Sequence, residues 1–161
     1  MVNSQSSVSQ WLRKFFNVES KVVHLDVTKI SDSIGEIEKF TRAELRVHAT
    51  TAKEELDPME CAVKKFHDLG MHKTQERNGI LLWINTHRRE FAIVGDEGIN
   101  SKVESDFWKN VTSEMVDLFR EGNPTAAILH GLERAGNRLT NEYPATDNAN
   151  PNELDNSVST D

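Results

Sequence analysis

The run Gly79-Ile80-Leu81-Leu82-Trp83-Ile84 constrains the fold of this chain more than any other feature. It is almost uniformly apolar and too short for a helix, so both of its faces must be covered, as in a central strand of a layered sheet. Polar residues Asn85 to Arg89 follow as a short turn, and Phe91-Ala92-Ile93-Val94 returns as a second strand. Strands at 80–84 and 90–94 therefore make an antiparallel hairpin.

Upstream, Leu45-Arg46-Val47-His48-Ala49 alternates apolar with polar residues, the pattern of a strand with one buried face. Between it and the apolar run, Asp57-Pro58 opens a helix that carries Ala62, Val63, Phe66 and Leu69 along one side and stops at Gly70. Strand 44–49, helix 57–69 and strand 79–84 thus form a β-α-β unit, whose strands run parallel through a right-handed crossover. The predicted architecture is α/β, with a mixed central sheet of about four strands flanked by helices.

Further helices follow from apolar residues at helical spacing. One begins at Asp26 or Thr28 and presents Ile30, Ile34, Ile37 and Phe40. Another carries Phe107, Val111, Met115, Leu118 and Phe119 and ends at Gly122, and a third opens at Pro124 with Ile128, Leu132, Ala135 and Leu139. Near the start, Trp11, Leu12, Phe15 and Phe16 predict a short amphipathic helix over residues 8–17 that packs on the domain. The chain then divides into a lead-in at 1–20, an α/β domain at 21–143 and a polar tail at 144–161, expected to be flexible.

Composition limits the partners. The formal net charge is −7, and the tail supplies Asp147, Glu153, Asp155 and Asp161 with no Lys or Arg; removing those four charges leaves −3. Such a body has no basic stripe for tracking phosphates, so nucleic acid is not an expected partner. The single cysteine, Cys61, excludes an intramolecular disulfide and suits a reducing compartment. No secretory signal is visible in Met1 to Ser7, and no apolar run reaches the roughly 20 residues of a spanning helix. A cytoplasmic monomer, with an unidentified protein partner possible, is the expectation.

The β-α-β-hairpin order brings the start of strand 44–49, the start of strand 79–84 and the end of strand 90–94 to one edge of the sheet. Glu44, Arg77, Asn78, Asp96 and Glu97 are therefore predicted neighbours. Gly95 and Gly98 flank the two acids and permit close backbone approach, so that oxygens could converge on a hard cation. Glu44, Asp96 and Glu97 are the candidate ligands of Ca²⁺ or Mg²⁺, with Arg77 and Asn78 beside them as binding residues; a plain turn and cap is the alternative. Arg46, facing Glu44 and His48, reads either as a strand-face ion pair or as an anchor for phosphate or carboxylate. His67 and His72 straddle Gly70 and lack the spacing of a helical metal pair, which argues against zinc. Nucleotide-binding glycine motifs and the G-x-S-x-G elbow are absent.

Across Ala43-Glu44-Leu45-Arg46-Val47-His48, Phe66 to Thr74, Arg77-Asn78-Gly79-Ile80-Leu81 and Phe91 to Ile99, the chain resembles the TPM domain family. Asp106-Phe107-Trp108 and Asn152-Glu153-Leu154 extend the likeness. The resemblance implies an α/β/α sandwich, divalent-cation binding in some members and acid phosphatase activity in the plant branch. It maps the family's acidic loop onto Asp96 and Glu97 and its polar strand start onto Glu44. Ala43 departs from the glycine frequent in relatives, and the lack of an export signal or anchor weakens transfer of membrane roles. A cation-binding interaction module is the leading expectation. The alternative is a metal-assisted acid phosphatase using Asp96, and a ligand-free scaffold comes third.

Overall fold

The computed structural model describes residues 11–14 by their backbone, and residues 23–146 and 154–161 in full. Its strands are β1 (Trp11–Lys14), β2 (Glu44–Thr50), β3 (Gly79–Asn85), β4 (Glu90–Gly95) and β5 (Ser159–Thr160). Its helices are α1 (Val27–Glu38), α2 (Pro58–Asp68), α3 (Glu97–Asn100), α4 (Phe107–Arg120) and α5 (Pro124–Glu142), with a 3₁₀ turn at Met71–Lys73. The strands form one mixed sheet in the order β1-β4-β3-β2-β5.

The apolar run is indeed internal. β3 pairs parallel with β2, Leu45 opposite Ile80, and antiparallel with β4, Leu82 opposite Ile93. All seven of its residues are buried, because the alternating side chains enter two separate cores. Ile80, Leu82 and Ile84 join Leu45, Val47, Phe91 and Ile93 beneath residues of α1, α4 and α5. Leu81 and Trp83 join Ala92 and Val94 beneath Met59, Ala62 and Phe66 of α2. The result is an α/β/α sandwich with α1, α4 and α5 on one face, joined there by Ile99 of α3, and α2 on the other.

Helix starts follow their caps. Asp26 accepts from Lys29 N at 3.0 Å, Asp57 from Glu60 N at 2.9 Å and Asn123 from Ala126 N at 3.3 Å. Pro58 and Pro124 each occupy the first turn, where no N–H is needed. Where α1 crosses α5, a Cβ on Gly136 would lie 2.6 Å from Ile37 Cγ2, so glycine permits the close packing.

Three expectations need correction. Trp11–Lys14 is a strand rather than part of a helix over 8–17, whose remaining residues lie outside those described. It pairs antiparallel with β4, Trp11 opposite Ile93, and so covers a row of backbone groups that β4 would otherwise present to solvent. Phe40 leaves the apolar face of α1, since the helix ends at Glu38 and Phe40 is 63% exposed. The described part of the tail is also fastened: β5 adds a fifth, parallel strand beside β2, with His48 opposite Ser159. Among the described residues, no helix is long and apolar enough to cross a membrane.

Candidate functional site

At the edge reached by the end of β4, the turn into β3 and the loop into α3 are locked together. Asp96 caps α3, with Oδ1 accepting from Glu97 N at 2.8 Å, while its own N–H donates to Gly79 O at 2.9 Å. Both carboxylate oxygens also receive the Arg77 guanidinium, Nε to Oδ2 at 2.8 Å and Nη2 to Oδ1 at 2.9 Å. Arg77 Nη1 lies 3.1 Å from Glu97 Oε1, so one guanidinium holds two carboxylates. Arg77 adopts φ +50°, a left-handed conformation unusual for a side-chain-bearing residue. Asp96 is 2% exposed, so the pair joins a buried anion to a cation at the surface.

Gly98 explains how the two segments come so close. Its N–H donates to Arg77 O at 3.0 Å, and a Cβ there would stand 2.5 Å from Glu76 O and 2.6 Å from Arg77 O. Only glycine fits such an approach to backbone. Tyr143 at the end of α5 donates its hydroxyl to Gly98 O at 2.8 Å, tying the loop to the helical layer. Next to it, Arg42 grips Glu76 through two hydrogen bonds and reaches the carbonyl of Pro144.

The predicted neighbours are thus brought together in part. Arg77, Asp96 and Glu97 form one cluster. Asn78 adjoins it in sequence but serves another segment, with Nδ2 donating to Arg42 O at 2.9 Å. Glu44 is fully buried, and its Oε2 accepts from Leu154 N at 3.3 Å. Gly79 stands between Glu44 and Asp96 in the sheet, and the carbonyl of Met71 packs over it, 3.2 Å from where a Cβ would be. Two carboxylates therefore converge where three were expected. Among the described residues, no group of three or more His, Cys, Asp or Glu is arranged to hold a metal ion.

A second polar assembly lies along β2, where Glu44, Arg46, His48 and Thr50 occupy one face and are all buried. Asp161 meets it from the tail: Oδ1 is 2.7 Å from Lys65 Nζ of α2 and 3.3 Å from His48 Nε2. Hydrogen bonding to Lys65 holds the Asp161 carboxyl far below the usual carboxylate range. His48 Nδ1 lies 2.9 Å from Ser159 Oγ, and burial, helped by Lys65, pushes the pKa of its ring down. Arg46 makes no ion pair with Glu44 or His48; its Nε is sealed from solvent without a partner.

Glu38 is the residue that sequence reasoning passed over. Its carboxyl accepts from Leu45 N at 2.8 Å, and burial pushes its pKa up to about 8. The signal was available, because Glu38 follows the buried Ile30 and Ile34 at steps of four along the same helix face.

Comparison with known proteins agrees with this architecture. The family model described as the TPM domain matches residues 23–138. The chain is also similar to the BA42 protein of the psychrophilic bacterium Bizionia argentinensis, whose structure was determined by NMR. The two share 32% sequence identity and superpose with a TM-score of 0.78, over 90% of this chain and 99% of that one. No curated protein gives a significant match.

Proposed function

Because the chain belongs to the TPM domain family, we propose that it is a binding module whose loop edge takes a divalent cation of the Mg²⁺ or Ca²⁺ class in exchange for Arg77. The observation that carries this reading is the convergence of the Asp96 and Glu97 carboxylates on one guanidinium. Two anions and one cation leave a net negative charge at the cluster. Asp96 is already oriented by Glu97 N, so a cation replacing Arg77 would meet a fixed carboxylate.

Two carboxylates suit a hydrated ion: Mg²⁺ commonly keeps several waters and binds through one or two carboxylates, whereas Ca²⁺ takes six to eight oxygens. Glu44 is engaged by the Leu154 amide and is left out of this set. Competition from Arg77 makes weak, millimolar-range affinity the expectation. The phosphatase reading has less support, since both Asp96 oxygens are occupied by Arg77 and neither is presented as a nucleophile.

Amide NMR with added Mg²⁺ and Ca²⁺ tests the exchange. Saturable shifts should centre on Asp96 to Gly98 and Arg77, and Arg77→Ala should bind more tightly than wild type while Asp96→Asn loses the response. Spectra unchanged at millimolar metal, in both wild type and Arg77→Ala, would sink the proposal.

A further inference from the structure

We propose that Arg46 anchors a second site, for a small oxyanion of the carboxylate or phosphoryl class, on the face of β2 that looks toward α2. Arg46 lies opposite Leu81 in the β2–β3 ladder, and Leu81 belongs to the core beneath α2. The residue is 8% exposed, yet its Nε has no hydrogen-bond partner and the side chain forms no ion pair among the described residues. By contrast, three other arginines each have a carboxylate in the fork: Arg42 holds Glu76, Arg77 holds Asp96 and Arg88 holds Glu90.

The Arg46 charge reaches Glu38 and Asp155 electrostatically, but a buried Nε left without an acceptor is costly, and that cost is recovered when a forked oxyanion supplies parallel hydrogen bonds. The carboxylates around Arg46 form hydrogen bonds to other groups. Glu44 accepts from the Leu154 amide, Glu38 from the Leu45 amide, and Asp155 from the amide and hydroxyl of Ser157. Asp161, one residue pair along the face, is held by Lys65. His48 stands two positions from Arg46 on the same face; Asp161 is 3.3 Å from its Nε2, but that nitrogen makes no aligned hydrogen bond. The oxyanion is therefore anchored by the Arg46 fork, while His48 Nε2 faces the Asp161 carboxylate. This site shares no residue with the Arg77–Asp96–Glu97 cluster, so either proposal can fail alone.

Amide NMR of the full chain, titrated with inorganic phosphate, with acetate and with chloride at constant ionic strength, provides the test. Phosphate or acetate should give saturable shifts at Glu44 to Thr50, and chloride should not; which of the two saturates first identifies the oxyanion class. Arg46→Lys, which keeps the charge and loses the fork, should weaken binding about tenfold, and Arg46→Met should abolish it. Absence of saturable shifts in wild type at tens of millimolar of either anion overturns the site, as do equal shifts in wild type and Arg46→Lys. Because the wild-type titration decides by itself, a variant that fails to fold leaves the test intact.

Discussion

Single positions carry much of the constraint at the loop edge. Gly98 sits where a Cβ would press on two carbonyls of the β3 approach, and backbone cannot swing aside as a flexible side chain can. Gly98→Ala should therefore destabilise the protein by about 1–3 kcal/mol in urea unfolding, by forcing the loop away from Arg77. Glu38 makes the complementary case, in which a buried acid prefers its proton. Between pH 4.5 and about 8 the folded chain retains the Glu38 proton and the unfolded chain releases it, so this group lowers stability as pH rises through that window. Below 4.5 the group contributes no slope, and above about 8 its cost is complete. Glu38→Gln keeps an oxygen for the Leu45 amide and removes the ionisation. The stability difference between variant and wild type should grow from pH 4.5 to about 8 and level off beyond; a difference independent of pH would contradict the assignment.

Elements built from local periodicity were legible, and those built from distant backbone pairing were not. The stripes of α1, α2, α4 and α5 and the hairpin of β3 and β4 follow from spacing, caps and turns written within each segment. Topology then placed Arg77, Asp96 and Glu97 together. It could not show that Arg77 would occupy the carboxylates, nor that Met71 would pack over Gly79 between Asp96 and Glu44, because those depend on a left-handed residue and a 3₁₀ turn. β1 and β5 were missed for a related reason: an edge strand is selected by the exposed ladder it joins, and its own sequence says little. Within β5's neighbourhood, the Asp161 carboxylate raises the affinity of His48 for a proton, against burial and Lys65. Asp161→Ala should move the His48 titration to lower pH, read from its imidazole signals by NMR; an unchanged titration would mean the tail does not rest on β2 in solution.

For the molecule as a whole, the strand order joins the two ends of the described chain to opposite margins of one sheet. The interior strands β2, β3 and β4 are linked by α2 and by a tight hairpin, so their pairing closes short stretches of chain. Adding β5 closes a far longer stretch of chain, with His48 and Ser159 separated by 111 positions. Such closure costs entropy and is offset by a two-residue ladder, the packing of Leu154 and Val158, single hydrogen bonds at Leu154, Asn156 and Ser159, and the Asp161–Lys65 pair. Exposed ion pairs contribute little, typically about 0–1 kcal/mol. The tail should therefore open without the sheet, as a separate low-energy unit. In native-state hydrogen exchange, amides of Leu81 to Ile84 and of Ala92 to Val94 should open only with global unfolding, and those of the Ser159–Thr160 strand at a markedly lower free energy. Raising salt should lower the tail's opening energy further while leaving β3 nearly unchanged, since screening acts on the Asp161 pair and not on the apolar layers. Equal protection in β5 and β3 at both salt concentrations would make the tail part of the cooperative core. It would also mean that access to the face bearing Arg46 requires unfolding the domain.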